Sequence, residues 1–173
     1  MDIEYTSGAE ELLDVIEPLW EKLRVHHLER TRNYAWHYQA QTFTKRKAAL
    51  LHKIQQKIKN GKLKVDLVHD QEDGTLVAYC ITSINGDNVA ELESMYVESC
   101  CRSMGVGHRL VERSMEWMTE QGAETRRVIV AAGNEDVLGF YRHFSFYPRS
   151  TILEYIPPGL VHTTLADHVT EGR

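Results

Sequence analysis

Cysteine is scarce in this 173-residue chain: there are three, Cys80, Cys100 and Cys101. An odd number with two adjacent makes neither a disulfide framework nor a C-x-x-C pair for zinc or redox work. Reduced thiols in a reducing compartment are the plain reading. Long apolar runs are missing, and none approaches the roughly 18 residues that a membrane helix needs. The first residues, MDIEYTSGAEELL, are acidic where a secretory leader needs basic residues and then an apolar stretch, so the expected location is the cytoplasm. A basic excess is missing too. With 20 basic against 25 acidic residues the formal net charge is −5, which speaks against nonspecific nucleic-acid binding. The nine histidines include no H-x-x-x-H pair, and no metal is expected.

What is present is ordinary for a folded domain: 42% apolar and 26% charged residues. The length fits one domain with one sizeable core, assigned to 1–158, with a tail, 159–173, that either adds a last strand or stays flexible. Asp2–Thr6 reads as a first strand. Ser7 and Glu10 have capping-box spacing ahead of an apolar stripe of Leu12, Ile16, Leu19, Trp20, Leu23 and His27, which predicts a helix to about Leu28 with Pro18 bending it. RTRNYAWHYQAQ (30–41) breaks the period. A second helix follows from Thr42 to Asn60 on Phe43, Leu50, Leu51, Ile54 and Ile58, with a basic side of Lys45, Arg46, Lys47, Lys53, Lys57 and Lys59 that reads as a solvated face.

The middle alternates instead. Lys62–Asp70, Leu76–Ile84 and Val89–Val97 read as strands joined by turns at Asp73-Gly74 and Asn85-Gly86, an antiparallel meander. Beyond it the pattern is a helix from Gly105 to Gln121 stopped at Gly122, a buried strand Arg126–Gly133, a short helix Asn134–Phe144 and a last strand Phe146–Ile156. The class is mixed α/β around one sheet.

The sharpest local signal lies between the third strand and the helix after it: Cys101-Arg102-Ser103-Met104-Gly105-Val106-Gly107-His108. Glycines let backbone approach a ligand closely, and the unpaired first amides of a helix with its dipole suit a pyrophosphate. Arg102 and Arg109 can add charge-assisted bonds to phosphate oxygens. A dinucleotide fingerprint would need a third glycine where Leu110 stands, and a P-loop would need Gly-Lys-Ser/Thr, which is absent. A tight strand-to-helix turn alone also explains the two glycines. Glu91 and Glu93 alternate onto one strand face with Met95 and Val97, where either carboxylate suits a general base.

Three pieces in order resemble the GNAT superfamily of acetyl-CoA-dependent N-acetyltransferases, over about Ile3 to Tyr155. ELESMYV resembles that family's fourth strand. Arg102-x-x-Gly105-x-Gly107 is similar to its pyrophosphate loop. Asn134-x-x-Val137-x-x-Phe140-Tyr141-x-x-x-x-Phe146 is similar to the motif on its last helix. Val137 replaces a small Ala, and Ser145 replaces a Gly, so this helix needs a non-Gly residue at positive φ or a different exit.

The resemblance implies a mostly antiparallel sheet of six to seven strands flanked by about four helices, with the fourth and fifth strands, Val89–Val97 and Arg126–Gly133, splayed apart. It implies acetyl-CoA as co-substrate, held by Met95, Tyr96, Val97, Arg102, Ser103, Met104, Gly105, Val106, Gly107, His108, Asn134 and Tyr141. The pantetheine arm would fill the gap like an added strand, with the Val97 N–H on the thioester oxygen. Tyr141 matches the family's general acid, and Glu91 or Glu93 its base. The acceptor is a small-molecule amine or a peptide amine, and the Tyr34, Trp36, His37, Tyr38 segment falls where the family's acceptor side lies. A non-catalytic acyl-CoA sensor is the rival from another class. No nucleic-acid or membrane partner is expected, and the last strand offers surface for a homodimer.

Overall fold

The computed structural model describes residues 2–31, 34–56 and 61–157. In chain order the strands and α-helices are β1 (Ile3–Gly8), α1 (Glu17–Arg30), α2 (Ala35–Ala40), α3 (Phe43–Gln56), β2 (Lys62–Asp70), β3 (Leu76–Ile84), β4 (Val89–Val97), α4 (Val106–Glu120), β5 (Thr125–Val128) and α5 (Leu138–Arg142). The residues form two compact units. One comprises Met1–Leu23 and Phe43–Ile129, the other Arg24–Thr42 and Val130–Arg173. No helix among the described residues is long and apolar enough to cross a membrane.

The first unit holds a sheet of order β1-β2-β3-β4-β5, antiparallel except for the parallel β4–β5 pair. The alternation seen in the sequence sets its faces. Leu63, Val65 and Leu67 of β2, with Tyr79 and Ile81 of β3, pack with Leu13, Ile16, Leu19, Trp20, Phe43 and Leu50 into one core. The opposite face carries α4, whose buried Val106, Leu110, Val111, Ser114 and Met118 recur at helical spacing. Polar contacts fix that helix on the sheet. Ser114 Oγ accepts from Thr82 Oγ1 at 2.8 Å and donates to the Leu110 carbonyl.

A buried ion cluster ties β1, β2 and α4 together. Asp66, with no solvent exposure, accepts from Ser7 Oγ at 2.6 Å and from Arg113 Nε at 3.0 Å, and Lys64 Nζ stands 2.9 Å from its other oxygen. Ser7 therefore serves a strand and not a helix cap. Its capping-box spacing with Glu10 is coincidental, because β1 runs on to Gly8 and a 3-10 turn, Glu10–Ile16, precedes α1. Pro18 does not bend the helix interior. It sits in the first turn of α1, where a missing N–H leaves nothing unpaired.

Other expectations also change. The aromatic segment expected to be irregular contains α2. The sheet has five strands among the described residues, not six to seven. The buried strand expected over Arg126–Gly133 ends at Val128, and Ile129 is exposed. Phe146–Ile156 joins no ladder, and Tyr147, Ile152, Leu153 and Tyr155 are exposed. Alternation there is local, whereas a strand needs a partner edge. Ile58, Lys57 and Lys59, and the tail 159–173, lie outside the described residues.

Two helices end in the same closure with different residues. At the end of α4, Ala123 N reaches Met118 O and Gly122 N reaches Thr119 O, with Gly122 at φ 74°. At the end of α5, Phe146 N reaches Tyr141 O and Ser145 N reaches Arg142 O, with Ser145 at φ 62°. Both are Schellman motifs. The second also has the apolar contact usual in that motif, Phe146 on Tyr141 at 6.1 Å between ring centres. The expected non-glycine at positive φ is thus present at Ser145. Ser145→Gly should relieve about 1 kcal/mol of left-handed strain and raise the thermal midpoint by about 2–4 °C, while Gly122→Ala should lower it comparably. Scanning calorimetry of the two variants checks both signs.

Candidate active site

The site begins in a defect of β4. β3 and β4 run in register from Ile84↔Ala90 to Thr82↔Leu92, then resume at Ile81↔Ser94. Glu93 is the extra residue of a β-bulge. The bulge corrects the strict alternation expected from sequence. Glu91 pairs with Ser83, and Ser94 and Tyr96 pair with Ile81 and Tyr79, on the α3 face. Met95 and Val97 pair with Cys80 and Ala78, on the α4 face. The two glutamates therefore do not share a face with Met95 and Val97.

Both carboxylates point to α3, and both are nearly fully buried, at 6% and 1% side-chain exposure for Glu91 and Glu93. Lys53 Nζ spans them, 3.0 Å from Glu91 Oε1 and 2.6 Å from Glu93 Oε1. Arg127 Nε closes on Glu91 Oε2 at 2.6 Å. Ser83 Oγ donates to Glu93 Oε1 at 2.7 Å. Arg46 Nη2 stands farther off, 3.8 Å from Glu93 Oε2 and 3.4 Å from the Glu93 carbonyl. The basic side of α3 is thus partly packed on buried carboxylates and not only a solvated face. Nothing in its charge pattern distinguishes Arg46 and Lys53 from their neighbours, so the sequence could not reveal this.

A shallow, open cleft lies on the same face, lined by Leu13, Ile16, Trp20, Phe43, Leu50, Arg46, Lys47, Ile81, Glu93 and Ser94. Trp20 and Phe43 meet edge to face at 5.6 Å. Glu93 lines the cleft; Glu91, with both oxygens engaged by cations, does not.

The edge of β4 is equally specific. β5 pairs only with Val89–Leu92, so the edge from Glu93 to Val97 has no β5 partner. Glu98 N donates to Val77 O of β3 at 2.9 Å. Successive peptide groups of a strand point to opposite edges, which turns the Val97 N–H toward the unpaired side. The Val97 carbonyl accepts from Arg102 Nε at 3.0 Å, and the Arg102 guanidinium lies 5.7 Å from the Tyr96 ring centre.

The glycine loop follows. Ser103 has φ 65°, Met104 is exposed, and Gly105 caps α4 at φ 81° with no side-chain hydrogen bond covering the helix start. A Cβ on Gly105 would meet nothing within 4 Å. The glycine is needed for its backbone angle, and the amides of Val106, Gly107 and His108 open a helix of 15 residues. Val106 itself is buried and anchors the turn. His108 and Arg109 face Glu112, and Arg109 also faces Glu116.

The sequence profile of the Acetyltransferase (GNAT) family matches residues 24–146, well over half of the chain. The chain belongs to the GNAT acetyltransferase family. No curated protein matches it by sequence. Solved structures share the fold at low identity. The aminoglycoside N-acetyltransferase AAC(6')-Iy, in complex with the bisubstrate analogue CoA-S-monomethyl-acetylneamine, has TM-score 0.62 at 15% identity over 91% of this chain and 99% of that one. A GCN5-related N-acetyltransferase from Ralstonia eutropha has TM-score 0.65 at 14% identity over 90% and 99%. A ribosomal-protein-alanine N-acetyltransferase from Brucella melitensis has TM-score 0.60 at 12% identity over 90% and 100%.

The residues of this GNAT enzyme fit the family's coenzyme. The uncapped helix start with clear space at Gly105 suits a pyrophosphate, and the unpaired β4 edge suits an amide-bearing arm. Arg102 and Arg109, expected on phosphate, instead lie on Val97 and on Glu112 and Glu116. The buried thiols, Cys80 and Cys101, are poor nucleophiles. Burial pushes Cys80 up to about 11, and burial together with Cys100, 3.4 Å away, does the same for Cys101.

In the second unit Tyr141 is buried between Phe140 and Phe146. Asn134 precedes the 3-10 turn Glu135–Val137 but does not cap it; its Oδ1 lies 3.3 Å from His26 Nε2. A Cβ on Gly133, at φ 89°, would fall 2.4 Å from the Arg30 carbonyl, which explains a glycine next to Asn134. The aromatic segment stacks His27 on Tyr38 at 5.3 Å, and His27 Nδ1 is buried without a hydrogen-bond partner. Burial, with His26 beside it, lowers the His27 pKa from 6.5 to about 4. Protonation then favours the unfolded chain, so stability is lost as pH falls from about 6.5 towards 4. The loss should be about 1–2 kcal/mol, less than the whole shift implies because part of the ring meets water. Urea midpoints at pH 7 and pH 4.5 should converge in His27→Phe relative to the parent.

Proposed function

We propose that this enzyme transfers the acetyl group of acetyl-CoA to the primary amine of a small molecule by direct attack in a ternary complex. The observation that carries the reading is the divided use of β4. Its bulge presents a carboxylate to an open cleft, while its last peptide turns an N–H to an edge without a partner strand.

Acetyl-CoA supplies the acetyl group as a thioester. The Val97 N–H polarises the carbonyl oxygen, and the glycine loop with the α4 amides from Val106 to His108 holds the diphosphate. Met95 and Tyr96 flank the arm, Ser103 and Met104 add coenzyme contacts, and Asn134 is assigned to the coenzyme by its motif. Glu93 accepts the amine proton as the C–N bond forms. Tyr141, placed by its motif, donates a proton to the sulfur as the C–S bond breaks, leaving an amide and a free thiol. Glu93 is the better base of the two glutamates because it lines the cleft and its Oε2 has only the distant Arg46. Glu91 orients Lys53, which in turn holds Glu93.

Thiol release from acetyl-CoA with a panel of amines and short peptides tests the reaction, and calorimetric titration with CoA tests the coenzyme site. Micromolar CoA binding abolished by Gly107→Glu is the expected result, since a charged side chain at the helix start repels phosphate. Absence of binding at millimolar CoA sinks the proposal. Glu93→Gln should lower kcat by about 10²–10³ with CoA affinity retained, and Tyr141→Phe should lower kcat by about tenfold or more. Glu91→Gln should act mainly on stability.

A further inference from the structure

The charges around the cleft say which amines fit it. Lys53 is committed to both buried glutamates, Arg127 to Glu91, and Lys47 to Asp14 at 2.6 Å. Arg46 is different. Its side chain is 37% exposed and lines the cleft, and its contacts to Glu93 are a long bond to the carbonyl and a 3.8 Å approach to Oε2. A guanidinium has five donors in a planar fork. Arg46 lines the cleft beside Glu93 Oε2, while Lys53 and Ser83 hold Glu93 Oε1.

We infer that the acceptor is an amino carboxylate with an apolar side chain, whose carboxylate is clamped by Arg46 while its amine meets Glu93. This rests on the acetyltransferase reading of the same cleft. The spacing agrees. Arg46 Nη2 and Glu93 Oε2 are 3.8 Å apart. The amine nitrogen and carboxylate oxygens of an α-amino acid, set by ordinary bond lengths, are about 2.7–3.6 Å apart. One zwitterion therefore matches both partners, with a bidentate bond available to the carboxylate.

The other walls, Leu13, Ile16, Trp20, Phe43 and Leu50, are apolar and suit an aliphatic or aromatic side chain. A polycationic amine would bring further positive charge to Arg46 and Lys47, which line the cleft with Glu93 as the acidic residue among its lining. Arg46 is thus a specificity-determining residue, and Glu93 keeps the catalytic role.

Matched pairs of acceptors test this on the full chain. Leucine and phenylalanine are compared with isoamylamine and phenethylamine, which lack only the carboxylate, and with a polyamine, by thiol release at saturating acetyl-CoA. The amino acids should exceed their decarboxylated partners at least tenfold in kcat/KM, mostly through KM, and mass spectrometry should find the N-acetyl amino acid. Arg46→Gln should collapse that ratio towards one, and Arg46→Lys should keep part of it. An unchanged thermal midpoint shows that each variant is folded. Equal or better use of the decarboxylated amines or the polyamine by the parent overturns the inference while leaving an N-acetyltransferase. A ratio unaffected by Arg46→Gln also overturns it. Absence of CoA binding, or of thiol release with every amine, instead overturns the parent reading and this inference with it.

Discussion

Most of what this chain can do depends on one irregularity of backbone pairing, the bulge at Glu93. A regular β4 would send alternate residues to opposite faces without exception, and its carboxylates would share a face with Met95 and Val97. The extra residue shifts the register between Leu92 and Ser94. As a result the strand gives two carboxylates to the α3 side, two apolar residues to the α4 side, and a bare edge to neither. An acyl transfer between two bound molecules needs such separation, because the coenzyme and the acceptor must reach the reacting atoms from different directions.

A bulge carrying buried charge needs support. Glu91 and Glu93 are almost without solvent, and uncompensated burial of even one carboxylate would be severely destabilising. Lys53, Arg127 and Ser83 supply the compensation, each from a different element: α3, β5 and β3. The charged cluster therefore holds the sheet to α3 as well as serving the proposed chemistry. On the other face the Asp66 cluster does a comparable task without any part in the proposed reaction, fixing α4, and with it the glycine loop at its start, against β1 and β2. The two faces are set independently, one by each buried acidic group.

Sequence reading served well where a local rule governs a local structure. The strands from Lys62 to Val97 follow from period-two alternation and turn residues, and α4 follows from its stripe and from Gly122. The left-handed Ser145 follows from a motif that has glycine there. Reading failed where the deciding partner lies far along the chain. Ser7 has the spacing of a cap, yet Asp66 claims its hydroxyl across the β1–β2 pair. Phe146–Ile156 alternates like a strand, yet no edge receives it. Arg46 and Lys53 look like any basic helix face, and only the packing of α3 over β4 brings them to the buried glutamates.

The sequence alone determined the mixed α/β class, the meander, the glycine-capped helix and the two glutamates of β4, because each is encoded within one strand or one turn by periodicity, backbone freedom or spacing. Tertiary structure alone decided which glutamate meets the cleft, which edge of β4 stays open and which cation remains available. Those depend on register and on burial, and both are properties of pairs of segments that no single segment records.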